Sequence, residues 1–508
     1  MFYGCTGLES ATLPNGLTDL QSQTFGGCTS LTSVTIRENS ALQRIAEYAF
    51  ANSGLTSLDL TNAPGLVTIA DYAFYNNPIA ALTFGTVSDV SVGNYAFAGS
   101  RLTSLTIPAN VISIGEYAFY NVSTLESVTV GEGSLISSIG AGAFRGTAIE
   151  AFDFSVMTLL TEIGDYAFYE TLLTAIELPD TVTSVGAYAF YGCEDVRELK
   201  MSESIATIGE YAFAGLPLIE EVTIYGNNTT VGAGAFENCT ALESVTLQEG
   251  VDYIGTSAFG FTALTSITLP TTIVTLDGNP FTSCPLETVV ILAPDADLYF
   301  DVASKTMFNG DKTLLYYTSP TTEGKYVIPE SVTAILPGAF AGSKITSITL
   351  PDNFTTIPNE VFKGCTELTS ITIGKNVTSI GMGAFEGCTA LETLTFEAGG
   401  TQILTIGDRA FYGCTSLESV QLPYRLRDVT ETVVDEEWGF ETEVVKAPGI
   451  GEYAFAYSGL VTVTYEPEPE DLSVEYSSND SCMIGAYAFY NCTALTTAEF
   501  HDRTSGNQ

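Results

Sequence analysis

The chain has 508 residues, 45% of them hydrophobic, so it carries enough apolar material for a long core and is not an acidic disordered segment. Lys and Arg total 17 against 60 Asp and Glu, a net charge of −43. That excludes nucleic-acid recognition by phosphate neutralisation and disfavours docking on anionic headgroups, and a single histidine, His501, leaves almost no room for His-based catalysis or zinc chemistry.

Residues 1–292 read as one repeat array. A phenylalanine, usually preceded by Ala, recurs at 2, 25, 50, 74, 97, 119 and onward to 281, at an ordinary spacing of 22 to 26 residues. One copy runs Ile114-Gly115-Glu116-Tyr117-Ala118-Phe119, a turn, then Leu125-Glu126-Ser127-Val128-Thr129-Val130. Val128 and Val130 alternate with Ser127 and Thr129, the period of a strand with one buried face. One such unit cannot bury Ile114, Phe119 and the strand aliphatics alone, but stacked neighbours can. Residues 293–328 break the period. Thr306 to Tyr317 read as a hairpin around Asn309-Gly310, and Tyr326-Val327-Ile328-Pro329 leads back into repeats over 329–423. Residues 424–449 read as a second hairpin insertion, with Trp438 and Phe440 at its tip. Repeats resume over 450–500 around an acidic, Pro-rich insertion at 466–482, and 501–508 form a tail. No apolar run is long enough to span a bilayer. The chain opens and stops within repeats, which reads as part of a larger protein.

These repeats predict a β-rich solenoid: a leucine-rich-repeat right-handed superhelix of about 19 coils, one per Phe, with short helical turns, interrupted by hairpin insertions. The text Ile-Gly-x-Tyr-Ala-Phe-x-x-Cys-x-x-Leu-x-Ser-Val-Thr-Leu-Pro resembles the BspA-like (treponemal-type) leucine-rich repeats over most of 1–292, 329–423 and 450–500. The interlude before Val332 is similar to one found in that family. The resemblance implies bacterial or protist surface proteins that mediate adhesion, binding host matrix proteins or other cells, with no catalytic activity. It therefore implies a cell-surface or secreted location and a protein ligand.

Nine of the ten Cys lie three residues after the Phe, where other copies carry Val122 and Leu216. The slot reads as apolar and buried, with each Cys a small hydrophobe carrying a weak S–H donor. Disulfides between stacked copies at Cys365, Cys388 and Cys414 are the alternative. Tyr48, Tyr72, Tyr95, Tyr117 and others lie two residues before the Phe, as a stacked ladder on the convex side or, alternatively, a carbohydrate or peptide platform.

No cofactor or metal site is expected. The acidic insertion lacks the Asp-x-Asp-x-Asp-Gly spacing of a calcium loop, and one Cys per coil in a line does not converge on a metal. The outward strand residues form a concave sheet of Ser and Thr. The charged exceptions are Arg197, Glu198, Lys200, Glu220, Glu221 and Glu243, which are the candidate binding residues there. Trp438 and Phe440 are a second candidate, as aromatic anchors on a projecting tip; folding back onto the solenoid flank is the competing account. The expected function is a noncatalytic adhesion or protein-binding module. The rivals are a structural spacer displaying other domains and an intracellular protist repeat scaffold.

Overall fold

A computed structural model describes residues 1–276, 278–434, 441–466 and 482–498. It is a β-solenoid of about 17 turns. The chain divides into two compact units, Met1–Pro280 with Leu292–Pro294 and Phe281–Ile291 with Asp295–Gln508.

In the first unit the Ile-Gly segments build an 11-stranded sheet from Asp19–Leu20 to Val251–Ile254, each strand parallel to its neighbours. The Ser-Val-Thr-Ile strands form a second face, in matched register: Ser10 lies opposite Ser33, and Ser104 opposite Ser127. Gly115 shows how closely the coils approach where this position is glycine; Gln21, Ala46 and Ala70 hold it in the first coils of the sheet. A Cβ on Gly115 would lie 2.6 Å from the carbonyl carbon of Gly93 and 2.7 Å from the Asn94 nitrogen, so any side chain would pry two coils apart.

The third side of each coil corrects the expectation of short helical turns, because no helix occurs among the described residues. Around Phe50 the amides of Ala49, Ala51 and Ser53 bond three residues back, to Ala46, Tyr48 and Phe50, while those of Tyr48, Phe50 and Asn52 bond to the next coil, at Asp71, Ala73 and Tyr75. Half of the donors thus leave the segment, whereas a helix would keep them within it. The alternation is set by left-handed residues on both sides of the Phe, Tyr48 at φ 55° and Asn52 at φ 56°, which stop a right-handed helix from propagating. The coil count also differs from one per Phe. Ladder strands precede Phe25 through Phe259, and the solenoid has about 17 turns in all.

The core is a set of stacked columns. Phe2, Phe25, Phe50, Phe74 and their successors to Phe259 stack ring on ring at 5.1 to 5.6 Å in the first unit. Phe362, Phe385, Phe411, Phe455 and Phe489 repeat the arrangement in the second.

The second unit contains an antiparallel meander, Tyr299–Asp301, Thr306–Phe308 and Leu314–Thr318, whose last strand runs parallel to Ala334–Ile335 and so rejoins the coils. The Asn309 side-chain oxygen accepts the amides of Thr313 and Leu314 and closes the turn. Tyr317 is fully buried; its hydroxyl donates to the Cys284 carbonyl and accepts the Leu286 amide. Val429–Val434 pairs antiparallel with Glu441–Ala447. The fully buried Arg425 caps coil carbonyls of Gly374, Val377 and Gln402.

Candidate protein-binding face

The strands of the Ser/Thr face alternate inward aliphatics with outward hydroxyl side chains, as in Ser104–Ile107, where Ser104 and Thr106 face out and Leu105 and Ile107 face in. Charge stands on this face in several coils, as at Asp59, Glu126, Glu150 and Lys344, and gathers around a hollow at one place. Arg197, Glu198, Lys200, Glu220, Glu221 and Glu243 come together with Glu177 around an open hollow of about 800 Å³. The strand Ala175–Glu177 pairs with Glu198–Lys200, which sets Glu177 opposite Lys200. Glu221–Ile224 pairs with Ser244–Leu247. No pairing joins Glu198–Lys200 to Glu221–Ile224, and the hollow opens along that seam with Leu218 in its lining.

Lys200 Nζ donates to Glu177 Oε1 at 2.7 Å, and this bond holds the ammonium above the ordinary lysine range. Both side chains remain well exposed, so the pair orients charge more than it stabilises the fold. Arg197, Glu198, Glu220, Glu221 and Glu243 are exposed and make no salt bridge. The sequence alone does not single out Glu177; its register partner Lys200 ties it to the group. Trp438 and Phe440 lie outside the described residues, as does His501.

The cysteine slot is buried at Cys28, Cys193, Cys239, Cys284, Cys365, Cys388 and Cys414, exposed at Cys5 and half-buried at Cys492, and it is also polar. The thiols of Cys28, Cys193, Cys239, Cys365, Cys388 and Cys414 each donate to the carbonyl of the Phe one coil back, for example Cys193 to Phe168 at 3.2 Å. Asn77 fills the same slot and donates to the Phe50 carbonyl at 2.7 Å. Thr147, Thr171 and Thr262 satisfy the Phe carbonyl of their own coil. All ten cysteines are free thiols. Burial pushes the Cys193 thiol up to about 11 and those of Cys239 and Cys414 to about 12, values at which a thiol is an inert packing group. Among the described residues no group of three or more His, Cys, Asp or Glu could hold a metal ion, and no helix is long and apolar enough to cross a membrane.

The tyrosines two residues before each Phe form stacked ladders. Tyr48, Tyr72, Tyr95 and Tyr117 follow one another at 4.7 to 4.9 Å, and Tyr166, Tyr188 and Tyr211 at 5.0 Å. Inside a ladder the ring faces cover each other, so only edges and hydroxyls point outward. A sugar platform needs open faces, which argues against that alternative for the interior rungs.

Three comparisons with known proteins bear on this architecture. A search of curated proteins finds no match. A leucine-rich repeat protein from Bacteroides ovatus is 20% identical, with 83% of this chain and 81% of that one covered and a TM-score of 0.35. A leucine rich cell surface protein from Faecalibacterium prausnitzii is 21% identical, covering 75% and 84%, at a TM-score of 0.38. The pneumococcal vaccine antigen PcpA is 18% identical, covering 67% and 74%, at 0.33. The BspA type leucine rich repeat region matches in six copies, at residues 1–89, 90–159, 161–287, 316–437, 400–475 and 449–506. With nearly the whole length matched, the chain belongs to the BspA-type leucine-rich repeat family.

Proposed function

We propose that this protein is a noncatalytic, surface-displayed adhesion module that binds a protein ligand through the charged seam at Glu177–Glu243. One observation carries the reading: charges that are scattered singly over the rest of the Ser and Thr face gather here, as five carboxylates and two cations, around an open hollow. Uniform columns serve strand pairing. A local departure from uniformity, with exposed charges that stabilise nothing in the fold, is what recognition requires. The acidic excess of the hollow and the net charge of −43 favour a basic partner surface. Display at a cell surface belongs to the same proposal and rests on the family resemblance. Trp438 and Phe440 are proposed as a second anchor on the same grounds as in the sequence.

The test is binding of the chain to immobilised extracellular matrix proteins and to whole cells. The expected result is saturable binding that weakens at least tenfold when Glu220 and Glu221 are both changed to Lys. A chain that binds nothing in the panel at any salt concentration would favour the spacer reading, which the regular Ser/Thr columns support.

A further inference from the structure

The tyrosine ladders of the first unit hold oxidisable phenols in contact, in two separate runs. Tyr48, Tyr72, Tyr95 and Tyr117 all take the left-handed backbone, at φ 54° to 56°, so each side chain leaves its coil in the same direction. Their amides donate to carbonyls of the next coil, at Asp71, Asn94, Glu116 and Ala141, which fixes rung against rung. The rings follow one another at 4.7 to 4.9 Å with planes within 13° of parallel. Tyr166, Tyr188 and Tyr211 form the second run, at 5.0 Å and within 18°. Gly142 holds the rung position between the runs and carries no ring, and Arg145 of that coil lays its guanidinium over Tyr166.

This arrangement suits one chemistry. Tyr48 is exposed and Tyr72, Tyr95 and Tyr117 are half-buried, so a one-electron oxidant in solution reaches the ring edges. The Phe column behind them is buried and carries no phenol. Thiols would compete for the oxidant, but Cys28, Cys193 and Cys239 are buried in this unit, and Cys5 is the exposed exception. A phenoxyl radical formed on one rung therefore has its coupling partner already in place, with no diffusion needed.

We propose that the two runs are oxidative cross-linking sites, at which hydrogen peroxide and a peroxidase join neighbouring rungs as dityrosine and staple one coil to the next. Two adjacent tyrosines each give up one electron and the phenolic proton. The two phenoxyl radicals form one C–C bond between ring carbons ortho to the hydroxyls. Each of those carbons then passes its hydrogen to its own ring oxygen as aromaticity returns. The two electrons and two protons released reduce one hydrogen peroxide to two waters. Each link ties residues 22 to 24 apart in the sequence, and so restricts the unfolded chain as a disulfide would. The Glu177–Glu243 seam plays no part in it.

The test treats the full chain, dilute enough to disfavour links between chains, with hydrogen peroxide and a haem peroxidase. Dityrosine fluorescence gives the yield, and mass spectrometry of the digested chain gives the linked pairs. The expected links are Tyr48–Tyr72, Tyr72–Tyr95, Tyr95–Tyr117, Tyr166–Tyr188 and Tyr188–Tyr211, within single chains, with a raised melting temperature in the linked product. Unfolding in urea before treatment should cut their yield roughly tenfold or more. Tyr72→Phe with Tyr95→Phe keeps the stacked rings and removes two phenols. It should abolish the links of the first run and leave those of the second unchanged. Absence of dityrosine, links found only between chains, or the same yield from the unfolded chain would overturn the proposal. A Tyr117–Tyr166 link as frequent as those within the runs would also overturn it, because coupling would then not follow the stacking.

Discussion

The closeness of the coils is decided at single positions. Gly115 meets backbone atoms at 2.6 to 2.7 Å from where its Cβ would be, whereas Gly16 has nothing within 4 Å. Gly115→Ala should cost about 2–4 kcal/mol in denaturant unfolding, because backbone cannot move aside as a side chain can. Gly16→Ala should change stability by well under 1 kcal/mol. Equal effects would show that the coils do not touch as described. The buried thiols make a pH prediction. Cys193 titrates at about 11 when folded against a usual 9.0, and Cys239 and Cys414 at about 12. A folded pKa raised above the unfolded one gives stability that is complete below pH 9 and lost as pH rises toward 11–12. For Cys193 alone this is on the order of 3 kcal/mol. Chemical denaturation at pH 8, 9.5 and 10.5 should show falling stability, and Cys193→Ser, still able to donate to Phe168, should lose part of that fall. At pH 8 a thiol reagent should label the exposed Cys5 quickly and the buried cysteines only after unfolding.

At the scale of the element, the turn segment decides between helix and solenoid. Alternate amides bond along the chain and across to the next coil, so each coil is zipped to its neighbour on three sides. The second unit adds a lock at Tyr317, whose hydroxyl serves both the Cys284 carbonyl and the Leu286 amide. Tyr317→Phe should cost about 1–3 kcal/mol, because it strands two buried backbone groups; a shift below 0.5 kcal/mol would mean that water replaces the hydroxyl. Period and polarity made the strands, the Phe column and the coil spacing legible in the sequence. The helical turns were misread because Tyr carries no outward sign of a left-handed φ; the regular Asn or Gly two residues after the Phe (Asn52, Asn76, Gly99, Asn121) was the available signal. The cysteine slot was read as apolar from Val122 and Leu216, although Asn77 and Thr147 in the same column already pointed to a hydrogen bond. The charged seam is legible in the sequence because two successive coils, at Arg197–Lys200 and Glu220–Glu221, put charge where other copies carry Ser or Thr, with Glu243 following in the next, while Glu177 requires the register to be known.

Over the whole molecule, repetition and charge act together. Near-identical coils satisfy one another's backbone groups, and a net charge of −43 keeps a protein with long parallel ladders from self-association. The same charge makes any basic partner's association steep in salt. Function on such a scaffold is expected where the repeat is broken rather than where it is kept, and the Glu177–Glu243 seam is the proposed place on the Ser/Thr face. The most direct measurement is the affinity and association rate of the chain for a panel of basic matrix proteins, at 50 and 300 mM salt, for the native sequence and for Glu220→Lys with Glu221→Lys. The account predicts a drop of at least tenfold in affinity in the doubly substituted chain at low salt, carried mainly by the association rate, and a much smaller difference at high salt. Unchanged affinity and rate at both salt concentrations would contradict it.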